Sequence, residues 1–480
     1  MEVRPSREEF ERLAADYSVV PVATTLVADR ETPVSAFEKL VGDGSGFLLE
    51  SVEGGENWGR WSFVGWDPAF TLVSREGKSV IEGRGPVEGG DPLAVLEQLV
   101  SGHTVPDLDH LPPLHSGAVG YLSFDAVRYI EHLPHRPPDD RGLPEMLWHF
   151  VGSLAAFDRV DQTITLVRNV FTSDEGGYDQ AVDALIGAAA RLGSGMSYVP
   201  TPAGPDPETP SWTSSFTRSD FMAAVDEAKQ AIRSGDAFQI VLSQRLSTAA
   251  PADAFDVYRA LRLINPSPFL FFVRHGEVAV AGSSPELMTR VRDGVAYSRP
   301  IAGTRPRGRD PEEDAALAKE LLADPKERAE HVMLVDLARN DLGRVCEFGT
   351  VSVDDLMLIE RYSHVMHIVS GVSGRLRPGV GPVDVLRATF PHGTVSGAPK
   401  VAAIEIIDRL EPVARGPYAG AAGYLDFSGT VDTAICLRTV IQSGDTAWIQ
   451  AGAGIVADSD PGAEYEETMH KAAAGLAAIA

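Results

Sequence analysis

The sequence predicts an α+β fold with mixed or antiparallel sheet, and three observations carry that expectation. Short apolar runs alternate closely with turn residues through the N-terminal half, as strands joined by tight connections do. Helices with recognisable start and stop signals are interspersed and become long in the C-terminal half. The chain has 480 residues, 44% of them hydrophobic, which is enough to bury a large core, and a single α+β unit can reach this length.

The elements follow in order. Ser6 and Glu9 have capping-box spacing ahead of Phe10 and Leu13. Thr32-Pro33 reads as an N-cap followed by proline at the first helical position, with the helix closing near Gly42. Gly46–Ser51 (GFLLES), RWSFVG, AFTLVS and Ser116–Phe124 (SGAVGYLSF) read as strands. Residues 199–214, rich in Pro, Thr and Ser with no apolar period, read as a linker between an N-terminal region, 1–198, and a C-terminal region, 215–480. Phe221, Ala224, Val225, Ala228 and Ile232 then recur at helical spacing, with Gly235 as the stop, before a strand at Ala237–Arg245 and another at Leu270–Val273. Asp310-Pro311, Asp324-Pro325 and Asp460-Pro461 each open a further helix.

Composition excludes several classes. The net charge of −26 argues against nucleic acid as a partner, because phosphate backbones attract basic surfaces. Cys346 and Cys436 form no CxxC pair, so a disulfide framework is not expected and a reducing cytoplasm fits. The N-terminus has no apolar core of a signal peptide, and no run approaches the ~18 apolar residues of a membrane span.

Glu327 and Glu330 share a face of one helix, and Glu464, Glu467 and Lys471 share a face of another. Carboxylates on two helices suit a hard cation such as Mg²⁺, which takes one or two of them and completes its octahedron with water and substrate oxygens. Glutamates on helices also commonly form a solvated face, and spacing alone leaves both readings open. Pro391–Lys400 (PHGTVSGAPK) and Ala451–Val456 (AGAGIV) are glycine-rich but match neither nucleotide loop. Each reads either as a backbone approach to a small anion, helped in the first case by a helix starting near Pro399, or as an ordinary tight turn. Neither cysteine has glycine neighbours of the kind a glutaminase nucleophile needs, so the chain is not expected to release ammonia from glutamine itself.

Taken together, FQIVLSQR (238–245), GSSPEL (282–287), RPIAGTRPRG (299–308), KERAEHVMLVDLARNDLGRV (326–345), ERYSHVMHIVS (360–370), GTVSGAPK (393–400), GYLDFSGTVDTAICLRT (423–439) and AGAGIVADSDPGAEYEETMHKA (451–472) resemble the chorismate-utilising enzymes, from about residue 218 to the end. The resemblance implies antiparallel sheets stacked face to face with helices outside, and chorismate, a dicarboxylate, as substrate. It implies Mg²⁺ held by Glu330 and Glu467, and substrate contacts from Gly303, Thr304, Tyr418, Arg438, Gly452, Ala453, Gly454 and Lys471. Glu286 matches the family's general acid, which must protonate the departing C4 hydroxyl; like charge from the substrate would hold it protonated. His367 matches a histidine tied to pyruvate elimination, and Thr394 lies in a motif matching the catalytic region. His392 is assigned no role.

Two positions select a branch. Relatives that add water carry a lysine where this chain has Gln239, and aminodeoxychorismate relatives carry a nucleophilic lysine where it has Ala302. The resemblance therefore implies direct attack by ammonia at C2 and the anthranilate course, with pyruvate released. A separate glutamine amidotransferase subunit would deliver the ammonia. The alternatives are a 2-amino-2-deoxyisochorismate synthase, which stops before pyruvate loss, and, further off, an aminodeoxychorismate synthase. Finally, FLLES (47–51) and NPSPFLFF (265–272) resemble the walls of a tryptophan pocket, implying feedback inhibition through Ser51, Pro268, Phe269 and Leu270.

Overall fold

A computed structural model describes residues 1–51, 59–173, 177–196, 210–250, 253–362 and 365–480. Among these, two antiparallel sheets of 12 strands each form the centre of the molecule. The first runs from Val19–Val27 through Thr163–Phe171, Ser153–Asp158, Trp61–Trp66 and Gly46–Glu50. It continues into Phe269–His275, Val278–Ser284, Thr439–Ser443, Thr446–Ile455 and Gln239–Ala249, and ends at Trp212–Ser214, with the short strand Gly397–Ala398 pairing with Gln239–Ala249 off this path. The second runs from Ile301–Pro306 through Val365–Arg375, Val295–Ser298, Leu287–Arg292, Val431–Ile435 and Ala421–Leu425. Ala118–Leu122, Met146–Phe150, Phe70–Arg75, Lys78–Ile81 and Gly85–Val87 follow, and Ser352–Arg361, paired with Val365–Arg375 off this path, completes it.

The sheets stack because their strands are apolar on both faces. Phe47, Phe63, Leu154, Phe271 and Val280 of the first meet Val119, Tyr121, Leu147, Ala422 and Tyr424 of the second in a dry central layer. The opposite face of the first sheet is covered by Pro33–Leu40, Tyr178–Leu192, Ala254–Ile264 and Pro461–Ile479. That of the second is covered by Pro92–Ser101, Pro325–Gly343 and Pro382–Thr389. The result is helix, sheet, sheet, helix, the stacked α+β arrangement that the resemblance implied.

The helix starts read from sequence are physical caps. Ser6 accepts the Glu9 amide, Thr32 that of Ser35, Asp310 those of Glu312 and Glu313, Asp324 those of Lys326 and Glu327, and Asp460 that of Ala463. Gly235 closes Arg218–Ser234 at φ +90°, a left-handed cap.

Two expectations are corrected. The stretch 199–214 is not linker throughout: Trp212–Ser214 is an edge strand on Gln239–Ala249, while 199–209 lies outside the described residues. Ala451–Ile455 is not a turn but the end of a strand paired with Gln239–Ala249, Gly452 opposite Ser243 and Gly454 opposite Val241. Its neighbours are β-formers on a central strand, so the glycines supply space rather than a bend.

Candidate active site

The carboxyl of Glu286 follows the strand Val278–Ser284 and is buried, 3% exposed. Burial pushes its pKa up to about 8, against partial relief from the Thr394 hydroxyl, the Ile301 amide and the charge of Lys471. The group is therefore largely protonated at neutral pH. In the free protein the cause is burial itself, not a like charge beside it. The Thr394 hydroxyl donates to Glu286 Oε1 at 2.7 Å. It is placed by a short 3₁₀ turn, Gly393–Val395.

From Ile301 the chain enters a strand with an irregularity between Ala302 and Thr304. Gly303 sits there at φ +66°, where a Cβ would come within 2.9 Å of Leu321 and 3.1 Å of the Glu327 carboxylate. Only glycine takes that backbone and that space without strain. The distortion turns the Gly303 carbonyl onto His367 Nδ1, 2.9 Å away, with Thr304 Oγ1 at 3.1 Å. A carbonyl only accepts, so Nδ1 carries the hydrogen and Nε2 keeps its lone pair. Burial lowers the pKa of His367, assisted by Arg438, and keeps the ring neutral. Ala302 is buried opposite Ile368 and contributes only a methyl group.

Arg438 lies at φ +48°, a conformation costing a non-glycine residue about 1–3 kcal/mol. Its guanidinium donates to Asn265 Oδ1 at 3.2 Å. Burial lowers its pKa, and no carboxylate among the described residues offsets that cost. A half-buried cation so placed suits an anionic ligand.

The opposite wall comes from the two helices. Gln239 Nε2 donates to Glu330 at 3.0 Å. Desolvation raises the pKa of Glu330, and the charges of Glu327 and Glu467 raise it further, so these carboxylates face one another. Glu467 pairs with Lys471 at 2.7 Å, and the Lys471 ammonium donates to the Gly452 carbonyl at 3.0 Å. A Cβ on Gly452 would reach 2.8 Å from the Tyr418 hydroxyl, and one on Gly454 would reach 2.7 Å from Gln239 Nε2. Ala453, between them, is fully buried on the helix-covered side. Hard oxygen donors crowded around Glu330, whose pKa their charges help to raise, fit a divalent cation, which would offset their repulsion. Among the described residues no three acidic, histidine or cysteine side chains form a complete ligand set, so any such ion would depend on water or substrate for its remaining positions.

The structure thus brings Glu286, Thr394, Gly303, Thr304, His367, Arg438, Gln239, Glu330, Gly452, Gly454, Tyr418, Lys471 and Glu467 into one linked set. Glu286 and His367 lie at its buried end, while Glu467 and Lys471 are exposed at its rim. Sequence reasoning passed over His392 and Asn265, because neither belongs to a charge pattern or period.

Ser51, Pro268, Phe269 and Leu270 line a separate cavity of about 830 Å³ including its open mouth, with Trp61, Phe63 and Tyr424. Two oxygens on its walls, Ser51 Oγ and Asp432 Oδ1, are buried without a hydrogen-bond partner. Aromatic sides with unsatisfied polar atoms suit a small aromatic zwitterion. Both cysteines are free and buried, and burial raises the thiol pKa of each, the opposite of a nucleophile's environment. No described helix is long and apolar enough to cross a membrane.

With fold and site assembled, comparison gives the class: residues 46–477 match the family model for chorismate binding enzymes, and the chain belongs to that family. The chain is 47% identical to anthranilate synthase component 1 of Mycobacterium tuberculosis over 99% of its own length and 95% of that protein. It is 45% identical to the protein of the same name from Acetivibrio thermocellus, covering 99% and 98%. The crystal structure of anthranilate synthase component I from Streptococcus pneumoniae matches 94% of this chain and 99% of that one, with a TM-score of 0.79 at 36% identity. The menaquinone-specific isochorismate synthase of Escherichia coli, at 22% identity and a TM-score of 0.74, shares the fold.

Proposed function

We propose that this chain is the large subunit of an anthranilate synthase, converting chorismate and ammonia to anthranilate, pyruvate and water in the cytoplasm, on the route to tryptophan. The observation that carries the reading is a buried, protonated Glu286 in a site whose branch positions, Gln239 and Ala302, offer neither a base for water nor an amine of their own. Glu286 gives its proton to the departing hydroxyl while external ammonia adds to the ring. An acid so placed contributes ~10²–10⁴ in rate. His367, neutral with Nε2 free, then takes the ring proton as pyruvate leaves. Arg438, Lys471 and the Tyr418 hydroxyl orient the substrate carboxylates. Glu330 and Glu467 would hold Mg²⁺, which when bound would supply positive charge to a substrate carboxylate. A separate amidotransferase subunit supplies ammonia from glutamine, since the buried thiols here are unsuited to it. The cavity behind Ser51 and Pro268–Leu270 takes tryptophan as feedback inhibitor.

The decisive measurement is product analysis with chorismate, ammonium and Mg²⁺, repeated with tryptophan. Fluorescent anthranilate with equimolar pyruvate, suppressed by tryptophan, is expected. A non-aromatic amino product without pyruvate would instead assign the 2-amino-2-deoxyisochorismate course.

A further inference from the structure

We propose that His392 is a positioning residue that parks the Thr394 hydroxyl hydrogen while Glu286 is protonated and releases it to Glu286 once that acid has given up its proton. The inference rests on the reading of Glu286 as the general acid. Its geometry is a short chain of three groups. Thr394 Oγ1 lies 2.7 Å from Glu286 Oε1 and 3.2 Å from His392 Nδ1, and the two acceptors are themselves 3.6 Å apart. A threonine hydroxyl has one hydrogen, so it serves one acceptor fully at a time.

The state of Nδ1 is fixed by the backbone. The Thr394 amide donates to His392 Nδ1 at 3.3 Å, so Nδ1 carries no hydrogen and can only accept. That amide contact is long and leaves the lone pair available to the hydroxyl. The ring is buried, and burial together with the charge of Lys400 pushes its pKa down to about 3, so it stays a neutral acceptor throughout the working range. His392 is held by its own backbone as well: its carbonyl takes the Ser396 hydroxyl at 2.9 Å.

Two arrangements follow. With Glu286 protonated, its O–H can point to Thr394 Oγ1, and the hydroxyl hydrogen goes to His392. After proton transfer to the leaving group, Glu286 is a carboxylate, and the hydroxyl turns to donate to it. One rotation about the Thr394 side chain connects the two: the proton given to the leaving group comes from Glu286 alone, and the threonine hydroxyl keeps its own hydrogen throughout. Without His392 the hydroxyl would have no acceptor in the arrangement in which Glu286 donates to it, an arrangement open to the acid form alone, so its loss would penalise that form. The charged and titratable groups facing the trio are Lys471 toward Glu286 and Lys400 toward His392.

The test titrates the Glu286 carboxyl by infrared difference spectroscopy, its band assigned by loss in Glu286→Gln, alongside the pH profile of kcat. His392→Ala should lower the midpoint by about 0.5–1 pH unit, the worth of one neutral hydrogen bond. His392→Leu, which refills the volume without an acceptor, should do the same and carries the test if the alanine variant does not fold. His392→Asn, which keeps an acceptor oxygen, should hold the midpoint near its native value. In a Thr394→Val background His392→Ala should shift nothing. An unchanged midpoint in both His392→Ala and His392→Leu, or a shift that persists without the threonine hydroxyl, overturns the proposal. Normal turnover in Glu286→Gln would instead overturn the general-acid reading, while the infrared titration would still report on His392.

Discussion

At the scale of single residues, the burial that makes Glu286 an acid also makes it a liability to the fold. Its pKa is about 8 in the folded chain against 4.5 when unfolded, so the folded state binds the proton more tightly. Stability is full below the unfolded value and declines as pH rises toward the folded one. Glu286→Gln removes that decline. The variant is expected to melt at about the parental temperature near pH 5 and above it near pH 8, by an amount worth up to about 4 kcal/mol, while losing about 10²–10⁴ in turnover. Thermal unfolding at the two pH values checks the first statement; equal melting temperatures at both would show that the carboxyl is not held protonated. Arg415 shows the opposite device, a buried charge fully paired: it donates to Glu411 and to the carbonyls of Val395 and Val241. Removing one partner of such a pair costs about 3–5 kcal/mol. Arg415→Met should therefore unfold the wall carrying Thr394, and a melting point within a degree of the parent would contradict this.

At the scale of elements, the site is where the ends of strands from both sheets meet helices that pack against them. The strand Thr446–Ile455 shows how. Its glycines leave room that a side chain elsewhere fills: the Tyr418 hydroxyl over Gly452 and the Gln239 amide over Gly454. Gly454→Ala should fold, because the Gln239 amide can move aside. It should lose the Gln239–Glu330 hydrogen bond and about 10-fold or more in kcat/KM, with a higher Mg²⁺ requirement. Steady-state kinetics against Mg²⁺ concentration reads this directly, and an unaltered metal dependence would separate Gln239 from Glu330 in function. In sequence the stretch reads as a backbone approach to a small anion or as a tight turn because glycine permits both, whereas here the glycines mark close packing within a strand.

At the scale of the whole molecule, the two sequence regions on either side of 199–214 do not make two sheets. Gly46–Glu50 pairs with Phe269–His275, and Ala118–Leu122 pairs with Ala421–Leu425, so each sheet is built from both regions. Either region expressed alone would expose a strand edge and an apolar sheet face. The expectation is that residues 1–198 and 215–480 each fail to melt cooperatively in isolation and recover structure when mixed, as circular dichroism can follow. Independent cooperative melting of 215–480 would overturn it. Asn265, the partner of Arg438, stands three positions before Pro268 at the start of the aromatic cavity's Pro268–Leu270 wall, a short covalent path between the two sites.

Local chemistry was legible in the sequence because it is local. The Asp-Pro and Thr-Pro helix starts, the Gly235 stop and the strand runs depend on neighbours a few residues away, and the structure places them as read. The acids and the histidine of the site were also legible, through motifs whose order resembles a family's. What only tertiary structure decided was contact between distant residues: that Glu286 is charged or neutral, which nitrogen of His367 carries hydrogen, and that His392 belongs to the site at all. Those depend on burial and on hydrogen-bond partners remote in the chain, such as Gly303 for His367, 64 positions apart, and Thr394 for Glu286, 108 positions apart. Desolvation is a property of the surrounding volume, and a one-dimensional pattern carries no measure of it.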